Sequence, residues 1–272
     1  MLVGLLWSHW SFLLLFTIIH FGCWWEYLGL VEKINNYQFD IFEKMGYTLV
    51  GYGIVLSFAG KAYQLNQYGL RDNMFLPLSF AGFLMLAYGV LTHRQQVRAK
   101  PVLSAAAGLA YISFSWGLLL HLRQQGMVFK GSYVFADFGI ILPLLLIFTI
   151  WINDTMAYVV GSLIGKTPLS KVSPKKTWEG TAGGVILSVA VLMLVAVLAY
   201  QAAWWQVALF CTAAAIFGAL GDLLESKLKR MAGVKDSGNM MPGHGGFLDR
   251  FDSLLIATPA VWVVVMLLEK MG

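Results

Sequence analysis

The 272-residue sequence predicts an all-α, polytopic transmembrane helical bundle of about eight spans, within a range of seven to nine, and three observations carry that prediction. Hydrophobic residues make up 58% of the chain and charged residues 12%, at a mean hydropathy of +0.70; a soluble domain carries about 25% charge. The apolar residues come in repeated runs near the roughly 20 residues that cross hydrocarbon as a helix. Short alternating segments of the kind that build a β-barrel do not occur. Because a span must satisfy its own backbone polar groups, helices are what remain.

The expected spans are, in order, Leu2 to Phe21, Met45 to Gly60, Met74 to Thr92, Pro101 to Leu120, Ser132 to Ile152, Gly183 to Tyr200, Trp204 to Leu220 and Leu254 to Leu268. The second and last are short. Asn153 to Gly165 either continues the fifth helix or forms a half-helix. No basic residue precedes Lys33, and the first apolar run is too long for a cleavable signal peptide. Assigning alternate loops to opposite sides leaves Lys61, Arg71, Arg123, Lys130 and Lys270 on one side and the rest of the 19 Lys and Arg residues on the other. The positive-inside rule makes the richer side cytoplasmic, which puts both chain ends outside.

Nothing divides the chain into soluble domains. The expectation is one integrated membrane domain, with scaffold helices over 1–130 and a catalytic region over 131–272 that carries cytoplasmic loops at 166–180 and 221–253. Cys23 and Cys211 lack the spacing of a zinc site or a disulfide framework and are read as small apolar residues. The net charge of +5 faces a membrane surface with its anionic lipids rather than nucleic acid. His9, His20, Glu26 and His121 are read as interfacial or interhelical hydrogen-bonding groups. Asp137, a carboxylate near a span, is a candidate for a cavity.

Polarity concentrates in three segments. The first is Trp151-Ile-Asn-Asp-Thr-Met-Ala-Tyr158, at the inner end of the fifth span. The second runs from Gly165 to Gly180 and carries Lys166, Lys171, Lys175 and Lys176. The third runs from Gly221 to Ser253. There Asp222, Glu225, Ser226 and Lys229 recur at helical spacing on one face, Asp249 and Asp252 stand one turn apart, and a loop holds Gly243, His244, Gly245 and Gly246. Loop glycines let backbone amides approach an anion closely. Carboxylates at 222 and 249 could hold a hard cation that bridges phosphates, with lysines and Arg250 neutralising the remaining charge. The plainer readings are that the lysines set topology, that Glu225 and Lys229 form a surface i, i+4 pair, and that the glycines serve turns. Ionisable clusters beside spans favour a functional site, and the pattern suits metal-assisted phosphoryl or nucleotidyl chemistry at the membrane surface.

The stretch Ser226-x-Leu-Lys229-Arg230-x4-Lys235-Asp236-x-Gly238-x3-Pro242-Gly-His244-Gly245-Gly246-x-x-Asp249-Arg250-x-Asp252 resembles the motif of the CDP-diacylglycerol synthases, or phosphatidate cytidylyltransferases. Asn153-Asp154-Thr-x-Ala-Tyr158 and Ser173-Pro-Lys175-Lys176-Thr-x-Glu179-Gly180 resemble that family too, in the same order. The resemblance extends from about Trp151 to Ser253 and is weak before it. Family members commonly begin with a short basic stretch before the first span, which this sequence lacks.

The resemblance implies that a phosphatidate oxygen attacks the α-phosphorus of CTP, giving CDP-diacylglycerol and pyrophosphate. It implies Mg2+ at Asp222 and Asp249, with Asp252 and Asp154 as further candidates and room for a second cation. Asp222, Asp249, Lys229 and Arg250 are the expected catalytic set. Lys175, Lys176, Lys229, Arg230 and Arg250 are expected on phosphate, and Ser226, Lys235, Asp236, Gly243, His244, Gly245 and Gly246 are expected to shape or bind at the site. The expected partners are CTP, phosphatidic acid, membrane lipids and a second copy in a homodimer. The expected location is the plasma membrane, with the site facing the cytoplasm. Alternatives are another CTP-dependent lipid enzyme such as a polyprenol kinase, or a transporter, although polarity confined to one half speaks against the latter. A CDP-alcohol phosphotransferase begins its motif with Asp-Gly, a dipeptide absent here.

Overall fold

The computed structural model describes residues 2–92, 98–125, 138–170, 172–200, 203–238 and 245–271. Asp137, Lys171, Gly243 and His244, singled out above, lie outside them. In chain order the helices are α1 (Leu2–Leu6), α2 (His9–Asn35), α3 (Ile41–Ser57), α4 (Leu70–Thr92), α5 (Ala99–Gly108), α6 (Ser115–Leu122), α7 (Phe138–Ile164), α8 (Trp178–Tyr200), α9 (Trp204–Met231) and α10 (Leu248–Met271). A π-helical turn, Leu109–Phe114, joins α5 to α6. Two short strands, β1 (Gln64–Leu65) and β2 (Tyr68–Gly69), pair antiparallel with Gln64 opposite Gly69.

Seven of these stretches are long and apolar enough to cross a membrane, with α5 to α6 counting as one. The chain is a polytopic, all-α membrane protein. The one other expected span, the second, Met45 to Gly60, falls on α3, whose 17 residues reach roughly 25 Å, near the lower limit for crossing.

Several boundaries differ from the sequence reading. The expected first span divides before Ser8, which forms a capping box with Ser11 and restarts the helix as α2. That helix runs on to Asn35 and ends where Asn36 takes a left-handed cap at φ 47°. Glu26, expected beside a span end, therefore lies well inside a helix. The fifth span does not stop at Ile152. Asn153 to Ile164 continue α7 as full helix rather than a half-helix. Likewise α9 passes beyond Leu220 to Met231, so the expected helical spacing of Asp222, Glu225, Ser226 and Lys229 is realised on one continuous element.

The chain forms two compact units: Met1–Gln124 with Leu228–Phe251, and Gln125–Lys227 with Asp252–Gly272. In the first, α3 and α4 pack as a tight antiparallel pair. A Cβ on Gly46 would lie 2.8 Å from the Gly82 carbonyl oxygen, and one on Gly82 would lie 2.7 Å from the Val50 nitrogen. Lipid supplies no hydrophobic drive between helices, so close backbone approach at small residues holds such pairs together. Ser113, on the π-helical turn, accepts a hydrogen bond from Trp24 Nε1 at 2.8 Å and lies 3.0 Å from His20 Nε2. All three are buried, and the interhelical role expected of His20 is the one observed.

In the second unit α7 and α8 repeat the device. A Cβ on Gly180 would lie 2.7 Å from the Ala157 carbonyl oxygen, and one on Gly184 would lie 2.7 Å from that of Asn153. These two glycines, four residues apart, lay the start of α8 along the polar stretch of α7. At Gly221 a Cβ would lie 2.5 Å from the Asp252 carbonyl oxygen, so α10 rests on α9 one residue from Asp222. Cys23 and Cys211 are buried, as expected. On α4 and α8 large apolar side chains such as Leu76, Phe80, Ile186 and Leu198 are exposed, a surface that belongs in hydrocarbon.

Candidate active site

The second unit contains a cavity of about 540 Å³ lined by α7, α8, α9 and the segment between α7 and α8. Helix α7 contributes Asn153, Asp154 and Tyr158, helix α9 contributes Asp222, and the segment between α7 and α8 contributes Ser173, Lys175, Lys176 and Thr177. The connecting segment is folded back on itself. Trp178 N–H donates to the Thr167 carbonyl at 3.0 Å and Leu169 N–H to that of Lys176 at 2.7 Å. Glu179 accepts from the N–H groups of Lys166 at 3.2 Å and Thr167 at 3.1 Å. Thr177 Oγ1 accepts from Gly180 N–H at 3.1 Å, satisfying one of the amides that the start of α8 leaves without an intrahelical partner. These bonds hold both expected lysines against the cavity.

Inside it, Lys176 Nζ donates to Asp222 Oδ2, and Ser226 Oγ donates to Asp222 Oδ1 at 3.2 Å from one turn along α9. Asp154 lies within electrostatic reach of both Lys176 and Asp222. Asn153 is buried, and its Oδ1 accepts no hydrogen bond among the described residues. Four expected residues, Asp154, Lys175, Lys176 and Asp222, thus meet at one cavity, and Ser226 braces one of them.

The first unit holds the other part of the motif. Lys229 Nζ donates to Asp249 Oδ1 at 2.6 Å. Asp249 Oδ2 accepts from Ser237 N–H at 2.9 Å, Ser237 Oγ at 2.9 Å and Gly246 N–H at 2.8 Å. The loop amides were expected to face a phosphate. For Gly246 the recipient is instead a carboxylate of the protein itself, three residues along, at the start of α10. Gly245 has φ +81°, the left-handed region that glycine enters without penalty, and this turns the chain into α10. Arg230 is exposed and donates to the Val234 carbonyl at 3.3 Å. Lys235, Asp236 and Arg250 are exposed as well. Asp252 is buried in the second unit, and Glu225 is fully buried rather than part of a surface pair.

The sequence marks Glu26 only as an interfacial or interhelical hydrogen-bonding group, without its partners. Its carboxylate accepts from Phe247 N–H at 2.9 Å, Leu248 N–H at 2.8 Å and Ser237 Oγ at 2.7 Å. The only trace in the sequence is an acidic residue inside an apolar run.

Among the described residues no group of three or more His, Cys, Asp or Glu side chains gathers as a metal site. Magnesium, however, is typically held by one or two carboxylates plus substrate phosphates and water. Asp154 and Asp222 on one cavity, with the unpartnered Asn153 Oδ1, fit that donor set.

Residues 1–268 match the family model described as the cytidylyltransferase family. The chain belongs to that family. This cytidylyltransferase is similar to proteins named phosphatidate cytidylyltransferase from several sources. It is 35% identical over 199 residues to one from Staphylococcus saprophyticus, a match covering 72% of this chain and 71% of the relative. The relative from Bacillus subtilis is 35% identical over 193 residues, covering 69% of this chain and 66% of that one. The relative from Synechocystis is 46% identical over a shorter 135 residues, 48% of this chain and 45% of its own length.

Proposed function

We infer that this cytidylyltransferase is a phosphatidate cytidylyltransferase, joining CTP and phosphatidate into CDP-diacylglycerol with release of pyrophosphate in phospholipid biosynthesis. The observation that carries the reading is the cavity of Asp154, Lys175, Lys176 and Asp222, beside which Val159, Leu163 and Ile164 of α7 are exposed and apolar. A substrate with a phosphate head and hydrocarbon tails needs those two surfaces side by side. Keeping the tails in lipid avoids losing about 0.8 kcal/mol for each CH2 exposed to water.

In the reaction a phosphatidate oxygen forms a bond to the α-phosphorus of CTP. The bridging bond from that phosphorus toward the β-phosphate breaks, and pyrophosphate leaves with the electron pair. Phosphatidate is already an anion, so no general base is required. Lys175 and Lys176 bind and orient phosphate. Asp222, with Asp154 nearby, would hold Mg2+, which when bound would neutralise charge on the triphosphate and on the leaving group. Ser226 fixes the Asp222 carboxylate. Lys229, Arg230 and Arg250, in the first unit, are further candidates for phosphate on the family resemblance alone. Asp249 is a second candidate for the cation, which would have to compete with Lys229 for Oδ1. The remaining assignments, a second cation, a homodimer, the plasma membrane and a site open to the cytoplasm, are part of the same proposal and rest on the family's chemistry and on the charge asymmetry of the loops.

Purified protein given CTP, phosphatidic acid and magnesium should yield CDP-diacylglycerol and pyrophosphate in equal amounts. Release of CDP with a phosphorylated lipid would identify a CTP-dependent lipid kinase instead, and the absence of CTP turnover would reject both.

A further inference from the structure

We propose that Glu26 is a positioning residue for this reaction, setting the place of Ser237 and of the start of α10, which carries Asp249, the partner of Lys229. The inference rests on the cytidylyltransferase reading above and concerns a residue outside the motif. Glu26 lies on α2 and is 6% exposed, in a helix whose other residues are mostly apolar. An ionisable group in such a place is costly to keep there and calls for an explanation.

Its surroundings supply one. Both carboxylate oxygens are engaged by the far end of the chain: Oε1 by Phe247 N–H, and Oε2 by Leu248 N–H and Ser237 Oγ. Phe247 and Leu248 lead into α10, so Glu26 takes up amides at that helix's amino end, where a negative charge is also favoured by the helix dipole. Two motif glycines are shaped around it. A Cβ on Gly246 would lie 2.2 Å from Glu26 Oε2, and one on Gly238 would lie 2.3 Å from Oε1. No side chain fits at either position while the carboxylate is there. Gly22, one turn before Glu26 on the same helix, would collide with the Phe247 ring at 2.3 Å if it carried a Cβ, so α2 receives Phe247 and its neighbours at two positions one turn apart.

The link to the reacting region is short. Ser237 Oγ lies 2.7 Å from Glu26 Oε2 and 2.9 Å from Asp249 Oδ2, and its single hydroxyl hydrogen ties the two carboxylates together. Asp249 in turn holds Lys229. Glu26 acts by fixing where Asp249 and the start of α10 stand.

The test uses the full-length protein in detergent with CTP, phosphatidic acid and magnesium. Glu26→Gln keeps the shape, removes the charge and sets an NH2 group against a backbone N–H. Expected is a kcat reduced on the order of 100-fold, the scale of a misplacement near 1 Å, with KM for both substrates within about threefold. Hydrogen exchange should quicken at the amides of Ser237 and Gly246 to Leu248 while α3 and α4 stay protected. A kcat within about twofold of the parent, or a loss of activity with exchange in that segment unchanged, overturns the proposal. If Glu26→Gln cannot be purified folded, Ser237→Ala decides: a kcat reduced about tenfold or more at unchanged KM supports it, and an unaltered kcat overturns it. A parent protein without CTP turnover would instead overturn the functional reading, which separates the two failures.

Discussion

Asp222 and Asp249 carry the same charge in different surroundings, and their substitutions should separate accordingly. Asp222 is partly open, with 28% of its side chain exposed, and pairs with Lys176 and Ser226. Asp222→Asn should abolish magnesium-dependent turnover yet change stability by no more than about 1 kcal/mol, since a pair this exposed contributes little. Asp249, at 11%, accepts from Lys229 and from loop amides. Asp249→Asn should also abolish turnover, but lower stability by about 1–3 kcal/mol because it strands buried donors. Thermal unfolding in detergent beside a pyrophosphate-release assay checks both. Equal stability of the two variants would remove the distinction. A third substitution concerns Glu225. It is fully buried, so Glu225→Gln tests packing and internal polarity rather than a surface ion pair, and it should leave more activity than Asp222→Asn. At this scale the sequence was informative where partners are near in the chain. Asp222 and Ser226 are four residues apart, and helical spacing alone pairs them. Lys229 with Asp249, and Glu26 with Phe247, have no such spacing to betray them.

The site of the second unit depends on how closely α8 lies on α7. Gly180→Ala would drive a Cβ into the Ala157 carbonyl and to 2.9 Å from Gly161 Cα. Stability should fall by about 1–3 kcal/mol, the usual range for overpacking. Turnover should fall too, because Lys175 and Lys176 precede that contact by only a few residues. Gly29→Ala on α2 is the control: nothing lies within 4 Å of its Cβ, and the change should be neutral or stabilise the helix by up to about 1 kcal/mol. Unfolding midpoints of the two variants decide, and equal midpoints would count against the close packing. Helix positions were legible because a run of apolar residues says where hydrocarbon lies. Helix ends were not, since α7 and α9 continue past their apolar stretches into polar residues. Hydropathy marks the edge of the lipid, whereas the helix ends where backbone hydrogen bonds and caps end it. The break before Ser8 was readable in principle, because Ser8 and Ser11 are capping residues three apart, but it falls inside an apolar run that masks it.

For the whole molecule the asymmetry of loop charge gives the proposed orientation in the bilayer. With α3 counted as a span, alternate loops fall on opposite sides. Single cysteines at Ser170 and Val234 should then react with an impermeant thiol reagent from the cytoplasm, and one at Gln125 only from outside. Both native cysteines are buried, so the background should be low. Labelling of position 234 from outside would overturn the orientation and the access of cytosolic CTP to the site. The membrane class and the motif were readable from composition and order of residues. The union of α2 with Ser237, Phe247 and Leu248 was not, because it is a property of the folded chain with no local pattern.

That union also bears on how the protein is made. Glu26 meets Phe247 across 221 residues. At ordinary elongation rates roughly tens of seconds separate their synthesis. Throughout that interval α2 is in or at the membrane with a carboxylate whose amide partners have not yet left the ribosome. It waits without the backbone donors that hold it in the folded protein. A chain that stops before α10 never acquires those partners, and it keeps a polar flaw in its first long helix that membrane quality control can find.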